Sequence, residues 1–250
     1  MCLKAEVQVY DNVEVSCFTG EIGSYENAFF TNVIRRKEIY IIRQVLQSEK
    51  PRLVLDYGCG GGWLSRLIYN WGLDVVGVDL SKKLVKVAKF VCHDGEFIVC
   101  DVMKLPFKDG IFDFVIGISI LHHLPDLNSA LNELARTSMP QAIFLFMEPN
   151  SLNPISALGR KFFPMEAHTK GEKTFTFGYL KAALSSAGFM VERYFAIFFL
   201  SFPVARFLKI ARMRLPLWLV KMSSLFEEIA EKIPCIRCLN STIVALVKRQ

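Results

Sequence analysis

The stretch Leu53-Val54-Leu55-Asp56-Tyr57-Gly58-Cys59-Gly60-Gly61-Gly62-Trp63-Leu64-Ser65 decides how this chain folds. Leu53, Val54 and Leu55 make a short apolar run of the kind that forms a buried strand. Asp56 closes it, and Gly58, Gly60, Gly61 and Gly62 follow. From Trp63 onward, Leu64, Leu67 and Ile68 return at helical spacing. The order is strand, glycine loop, helix. A chain that turns tightly at the end of a parallel strand needs positive φ or close backbone approach, and glycine permits both. Such a loop presents main-chain N–H groups and a helix N-terminus to the crevice above the sheet.

A glycine loop alone also fits an ordinary strand–helix turn. Two acids narrow the reading. Asp56 stands before the glycines, at the loop's mouth, where a carboxylate accepts hydrogen bonds from the loop or from a cationic ligand and is a poor neighbour for a pyrophosphate. Asp79 ends the next apolar run, Asp74-Val75-Val76-Gly77-Val78-Asp79. That is about twenty residues beyond the loop, where a doubly wound fold places the carboxylate that grips a ribose diol.

These residues, with Leu80 and Ser81 after them, resemble motifs I and II of the class I S-adenosylmethionine-dependent methyltransferases. The resemblance continues through Cys100-Asp101-Val102 with Leu105-Pro106-Phe107. It continues again through Phe112-Asp113-Phe114-Val115-Ile116 with Leu121-His122-His123-Leu124, which is similar to the small-molecule and lipid branch, of methyltransferase type 11. It covers roughly residues 50 to 150. It implies S-adenosylmethionine as cofactor and a role for each matching residue. Gly58, Cys59 and Gly60 form the loop around the methionine moiety, and Asp56 holds the loop or the sulfonium side. Asp79 accepts from both ribose hydroxyls, and Leu80 packs on the adenine. Asp101 and Val102 meet the adenine amino edge, and Ile118 and Ser119 face the methyl-donor end. The resemblance also implies a helix over the cofactor near the N-terminus, where Tyr25, Phe29 and Arg35 or Arg36 are candidate lid residues.

The rest of the chain fits an α/β domain: a doubly wound, Rossmann-like, seven-stranded, mostly parallel sheet with helices on both faces. Strands are expected at 52–57, 74–79, 96–100, 111–118, 141–148, 190–199 and 241–248, and core helices at 62–71, 81–92, 127–138 and 176–187. Residues 1–50 read as an N-terminal arm and helical cap, 51–199 as the core, 200–240 as a helical insert and 241–250 as the last strand. Residues 150–175, with Pro154 and Pro164, read as a loop. The insert interleaves Phe207, Leu208, Leu217, Trp218 and Leu219 with Arg206, Lys209, Arg212, Arg214 and Lys221. That pattern suits an interfacial helix on anionic lipid. A helical cap packed on the domain is the other reading.

Composition sets outer bounds. With 250 residues the chain has room for one sizeable core. Hydrophobic residues make up 52%, and Phe alone accounts for 21, an apolar balance high for a water-soluble enzyme. The net charge of +6 fits an anionic membrane surface, a nucleic acid or simply a solvated basic surface. An odd count of 7 cysteines, scattered along the chain, is not a secreted disulfide framework. Cys235 and Cys238 form a lone CxxC, too little for a zinc site, so no metal is expected. The N-terminal residues carry no long apolar core, and the stretch from Tyr194 to Ala205 is too short to span a bilayer. A cytoplasmic protein with peripheral contact to the inner membrane face is the expectation.

Methyl transfer from a sulfonium is an in-line displacement that proceeds mainly by alignment and exclusion of water. Enzymes that methylate exocyclic amines usually carry an Asn/Asp-Pro-Pro-aromatic loop after the fourth strand. Here that place reads Ile118-Ser119-Ile120-Leu121-His122-His123. The acceptor expected is therefore a small hydrophobic or lipid-like molecule and not a nucleic acid. His123 and His168 are the candidate bases for a hydroxyl acceptor. The rival functions are a non-catalytic membrane-docking protein on a cofactor-binding fold and an NAD-linked oxidoreductase.

Overall fold

A computed structural model describes residues 30–162, 174–201, 204, 207, 208 and 216–250 of the chain. A π-helical turn, Phe30–Arg35, leads into α1 (Arg36–Glu49). Then follow β1 (Leu53–Tyr57), α2 (Trp63–Asn70), β2 (Asp74–Asp79), α3 (Lys82–Val91), β3 (Glu96–Val99) and β4 (Phe112–Ile118). A 3-10 turn at Leu121–His123 precedes α4 (Leu127–Thr137), β5 (Ser138–Pro149), α5 (Pro154–Phe162), α6 (Phe177–Ser186) and β6 (Phe189–Ile197). The chain closes with α7 (Leu217–Ala230), α8 (Pro234–Arg237) and β7 (Thr242–Arg249).

The seven strands form one sheet in the order β3-β2-β1-β4-β5-β7-β6. β1 to β5 pair in parallel, and β7 lies antiparallel between β5 and β6. This is the doubly wound, seven-stranded fold expected from the alternation of apolar runs. Strand order reverses between β1 and β4, which opens a crevice at their carboxyl ends. Alternate residues of each strand serve opposite faces. Val54, Phe114 and Ile116 pack with Ile42 and Leu46 of α1 and with Leu64 and Ile68 of α2. Leu55, Phe112 and Val115 pack on the other face with Leu127, Leu131 and Leu134 of α4 and with Leu180 and Leu184 of α6.

Two boundaries differ from expectation for clear reasons. β5 begins at Ser138, three residues early, because it leaves α4 with no intervening loop and pairs Ser138 with Phe112. The register then slips before Phe114, and Gln141 takes up the irregularity at φ 67°. The expected loop after β5 contains the helix α5. Pro154 takes its first position, where its missing N–H costs nothing, and Asn153 Oδ1 accepts the Ser156 N–H at 2.6 Å.

The insert is fastened from its far end. Glu227 of α7 is buried, and its carboxylate accepts from the N–H groups of Phe199, Leu200 and Ser201 and from the Ser201 hydroxyl, at 2.5–2.9 Å. Thr242 lies opposite both Pro149 and Ile197, so the insert leaves and rejoins the sheet at the edge that carries the crevice. Among the described residues no helix is long and apolar enough to cross a membrane.

Gly62 spaces the two helices behind the crevice. Its φ is +76°, and a Cβ there would lie 2.8 Å from that of Ala88 on α3. Gly62→Val should lower stability by about 2–4 kcal/mol in urea unfolding, through left-handed strain and overpacking together.

Candidate active site

The crevice is built from the carboxyl ends of β1, β2, β3 and β4. At the end of β1 the N–H groups of Gly58 and Cys59 both donate to the Val78 carbonyl, at 2.9 Å, so the glycine loop is stitched to β2. The Gly60 N–H turns to the Asp79 carboxylate, donating to Oδ2 at 2.9 Å. The other oxygen, Oδ1, accepts the Ser81 N–H at 2.8 Å. Ser81 in turn caps α3, its hydroxyl accepting from the Leu84 N–H. Asp79 thereby joins the loop, its own strand and the next helix.

Asp101 lies beside Asp79, and the Cys100 N–H donates to the Asp79 carbonyl at 3.0 Å. Asp101 Oδ1 accepts the Met103 N–H at 2.9 Å, which orders the turn after β3. The Cys100 thiol is pushed up to about 11, by burial first and then by the charges of Asp101 and Asp79.

Asp56 is not at the loop's mouth. It is buried beneath the loop, where the Ser65 hydroxyl of α2 donates to its Oδ2 at 2.5 Å. Burial pushes its carboxyl up to about 7, against the pull of Ser65 and with a smaller push from Asp79. Its hydrogen bond ties the end of β1 to the helix α2, not to the glycine loop. The Cys59 side chain also points away from the crevice, into a cluster with Val85, Ala88, Cys92 and Phe97. Val102 is buried in the core, and its carbonyl accepts from the Tyr57 hydroxyl at 3.0 Å. These two residues have only main-chain atoms to offer a ligand. The space above Gly58 is filled, since a Cβ there would meet Ile120 at 2.8 Å. Leu80 and Ile118 are half-buried at the ends of β2 and β4.

Ser119 is exposed at the end of β4 and has φ 54°, a left-handed conformation unusual for a serine. Its N–H donates to the Met147 carbonyl at 2.8 Å. What holds this bend is Glu148, a residue that sequence reasoning did not single out. Its fully buried carboxylate accepts the N–H groups of Ile120, Leu121 and His122, at 3.0, 2.8 and 3.3 Å. It also contacts His122 Nδ1 at 2.7 Å. The partly exposed His123 ring lies with its centroid 4.0 Å from that of His122. His168, the other candidate base, lies outside the described residues, as do Tyr25 and Phe29. Arg35 stacks its guanidinium over Trp63, 3.7 Å from the ring centroid, at the start of the helix that follows the loop. Arg36 is exposed.

Comparison with known proteins agrees with this geometry. Residues 55–146, which hold β1 through most of β5, match the methyltransferase domain family. Over that stretch the chain is similar to class I S-adenosylmethionine-dependent methyltransferase domains. It is 33% identical to norajmaline N-methyltransferase of Rauvolfia serpentina over 116 residues, 43% of this chain and 40% of that protein. It is 37% identical to the probable tRNA methyltransferase 9B of Mus musculus over 122 residues, 46% of this chain and 26% of that protein. It is 34% identical to the ubiquinone biosynthesis O-methyltransferase of Bordetella avium over 122 residues, 47% of this chain and 50% of that protein. The matched stretch thus spans half or less of the length of these curated relatives. Among solved structures, geranyl diphosphate C-methyltransferase of Streptomyces coelicolor superposes with a TM-score of 0.65 at 13% identity, covering 100% of this chain and 98% of that one, which is a likeness of fold.

Among the described residues, no group of three or more His, Cys, Asp or Glu could hold a metal ion. Cys235 and Cys238 are exposed free thiols.

Two buried acids near the crevice, Glu148 and Asp56, generate separate tests. Glu148→Gln should lower stability by about 2–3 kcal/mol in urea unfolding, because an amide cannot accept from three N–H groups and an imidazole at once. Asp56 gives a pH dependence. Its carboxyl sits higher in the folded chain than the usual 3.8, so the folded state holds a proton that the unfolded state has released. Stability should fall as pH rises from about 4 to 7, at up to roughly 1.4 kcal/mol per pH unit. Asp56→Asn should flatten that slope in melts recorded across the same range.

Proposed function

We propose that this protein transfers a methyl group from S-adenosylmethionine to a small hydrophobic or lipid-like acceptor. The observation that carries the reading is the Asp79 carboxylate, held between the Gly60 and Ser81 amides where the strand order reverses. The residues present suit the cofactor. Asp79 and Asp101 stand at the crevice, and their carboxylates favour a cationic ligand and disfavour a pyrophosphate. That electrostatic bias speaks for a sulfonium cofactor over a nicotinamide dinucleotide. Bound there, S-adenosylmethionine supplies an electrophilic methyl group on a positively charged sulfur.

The chain's own work is to bind and align. In this reading Asp79 accepts from the ribose hydroxyls, and Gly58, Cys59 and Gly60 offer main-chain atoms to the methionine moiety. Leu80, Asp101 and the Val102 backbone receive the adenine. Ile118 and the bent Ser119 border the methyl-donor end, and His123 takes the proton of a hydroxyl acceptor. The acceptor class is supported by the alkaloid and ubiquinone methyltransferases among the relatives, together with the missing Pro-Pro loop after β4. The same reading has the protein meet its acceptor from the cytoplasm, at the inner face of a membrane.

Calorimetric titration checks the cofactor. S-adenosylmethionine should bind and NAD should not, and Asp79→Ala should weaken binding by about 2–3 kcal/mol through the lost charge-assisted pair. Radioactive cofactor then checks the acceptor. Label is expected in an organic-soluble extract. Label confined to tRNA would favour the other relative's chemistry and overturn the acceptor class.

A further inference from the structure

We propose that α7 docks the protein on an anionic lipid surface through a stripe of Trp218, Met222, Leu225 and Ile229. The inference deepens the reading of a lipid-like acceptor and rests on it for its purpose alone. The four residues recur at intervals of four, three and four, which at about 100° per residue keeps them within a narrow arc of the helix. They are 60%, 60%, 58% and 51% exposed. Water-soluble helices turn such residues inward, and this one is turned inside out. Its body side holds Val220, which packs with Val33 and Leu208, and the buried acid Glu227. The helix is therefore clamped by a back that joins Val220 to a buried acid, and it presents an apolar front.

Charge says what the front meets. Of the three acids in the helix and its C-cap, Glu227 is buried against the turn before the insert and Glu231 pairs with Lys37, which leaves Glu228 exposed. Lys221, Lys232 and Arg237 are exposed around the same surface. An apolar stripe with a tryptophan and a cationic rim matches the boundary of an anionic bilayer, where rings lie at the headgroups and basic residues meet lipid phosphates. A second copy fits worse, because a two-fold contact would bring each cationic rim against its own kind. Position agrees as well. Val220 touches Val33, two residues before Arg35, and Arg35 covers Trp63 at the end of the glycine loop. The back of α7 is thus joined to the start of α2 through one intervening turn.

The test uses the full chain with vesicles of equal phosphatidylglycerol and phosphatidylcholine, and with vesicles of phosphatidylcholine alone. The wild type should co-sediment with the anionic vesicles about tenfold more tightly or better. Its tryptophan emission, to which Trp218 contributes beside Trp63 and Trp71, should shift to the blue and be partly quenched by lipids brominated in the acyl chain, and Trp218→Phe should remove that quenching. Met222→Glu with Leu225→Glu should lose at least about tenfold of that binding. The same variant should keep its melting temperature and its calorimetric affinity for S-adenosylmethionine, which separates failure of docking from failure of the cofactor reading. Equal binding by wild type and variant would overturn the proposal, as would no binding by wild type at low salt. A wild-type dimer in light scattering that the variant abolishes, without vesicle binding, would assign the stripe to a second copy instead.

Discussion

Backbone amides that emerge at the carboxyl ends of the strands have no partners left in the sheet, and this molecule supplies them with carboxylates. Asp79 accepts from Gly60 and Ser81, Glu148 from Ile120, Leu121 and His122, and Glu227 from Phe199, Leu200 and Ser201. All three acids work at one edge of one sheet. A charged acceptor makes a stronger bond to an amide than a neutral carbonyl does, and an unmet buried amide is costly. The bends that shape the crevice are therefore held by side chains from elsewhere in the chain as well as by their own turn geometry. Such a bend keeps its shape while presenting strained backbone, as at Ser119.

This arrangement explains which parts were legible in the sequence. The central strands were, because each is a short apolar run and most are separated by stretches of helical spacing. Asp79 was legible for the same reason, since it ends a strand and its partners lie within the local unit. Glu148 was not. Its partners stand 26 to 28 residues back along the chain, and nothing in Met147-Glu148-Pro149-Asn150 says that the carboxylate turns inward. Glu227 escaped notice similarly, 26 to 28 residues from the amides it holds. Asp56 was read with the right residue and the wrong depth. Only the packing of α2 over the strand end shows that Ser65, and not solvent or ligand, faces it. The helix α5 did leave a trace, in an Asn-Pro pair that caps a helix as readily as it breaks one.

The interior and the insert follow opposite rules. In the core, apolar side chains point inward and acids are few, paired and hydrogen-bonded. In α7 an acid, Glu227, points inward beside Val220 and Ala230, while Trp218, Met222, Leu225 and Ile229 point out. Both patterns have the same physical source, because a buried carboxylate is tolerable only where several donors converge on it. The turn at Phe199–Ser201 provides that convergence, so the orientation of α7 about its axis is set by Glu227, and the apolar face is left outward.

The antiparallel β7 carries one more consequence. Ile197 lies opposite Thr242, and the Ser241 N–H donates to the Phe198 carbonyl at 2.7 Å, so the two ends of the insert are already closed like the neck of a hairpin. In topological terms everything between them is a cassette. Its length and chemistry can change without altering the register of any strand. A scaffold with such a port can exchange what lies between its closed ends over evolutionary time, while the parallel half of the sheet stays as it is.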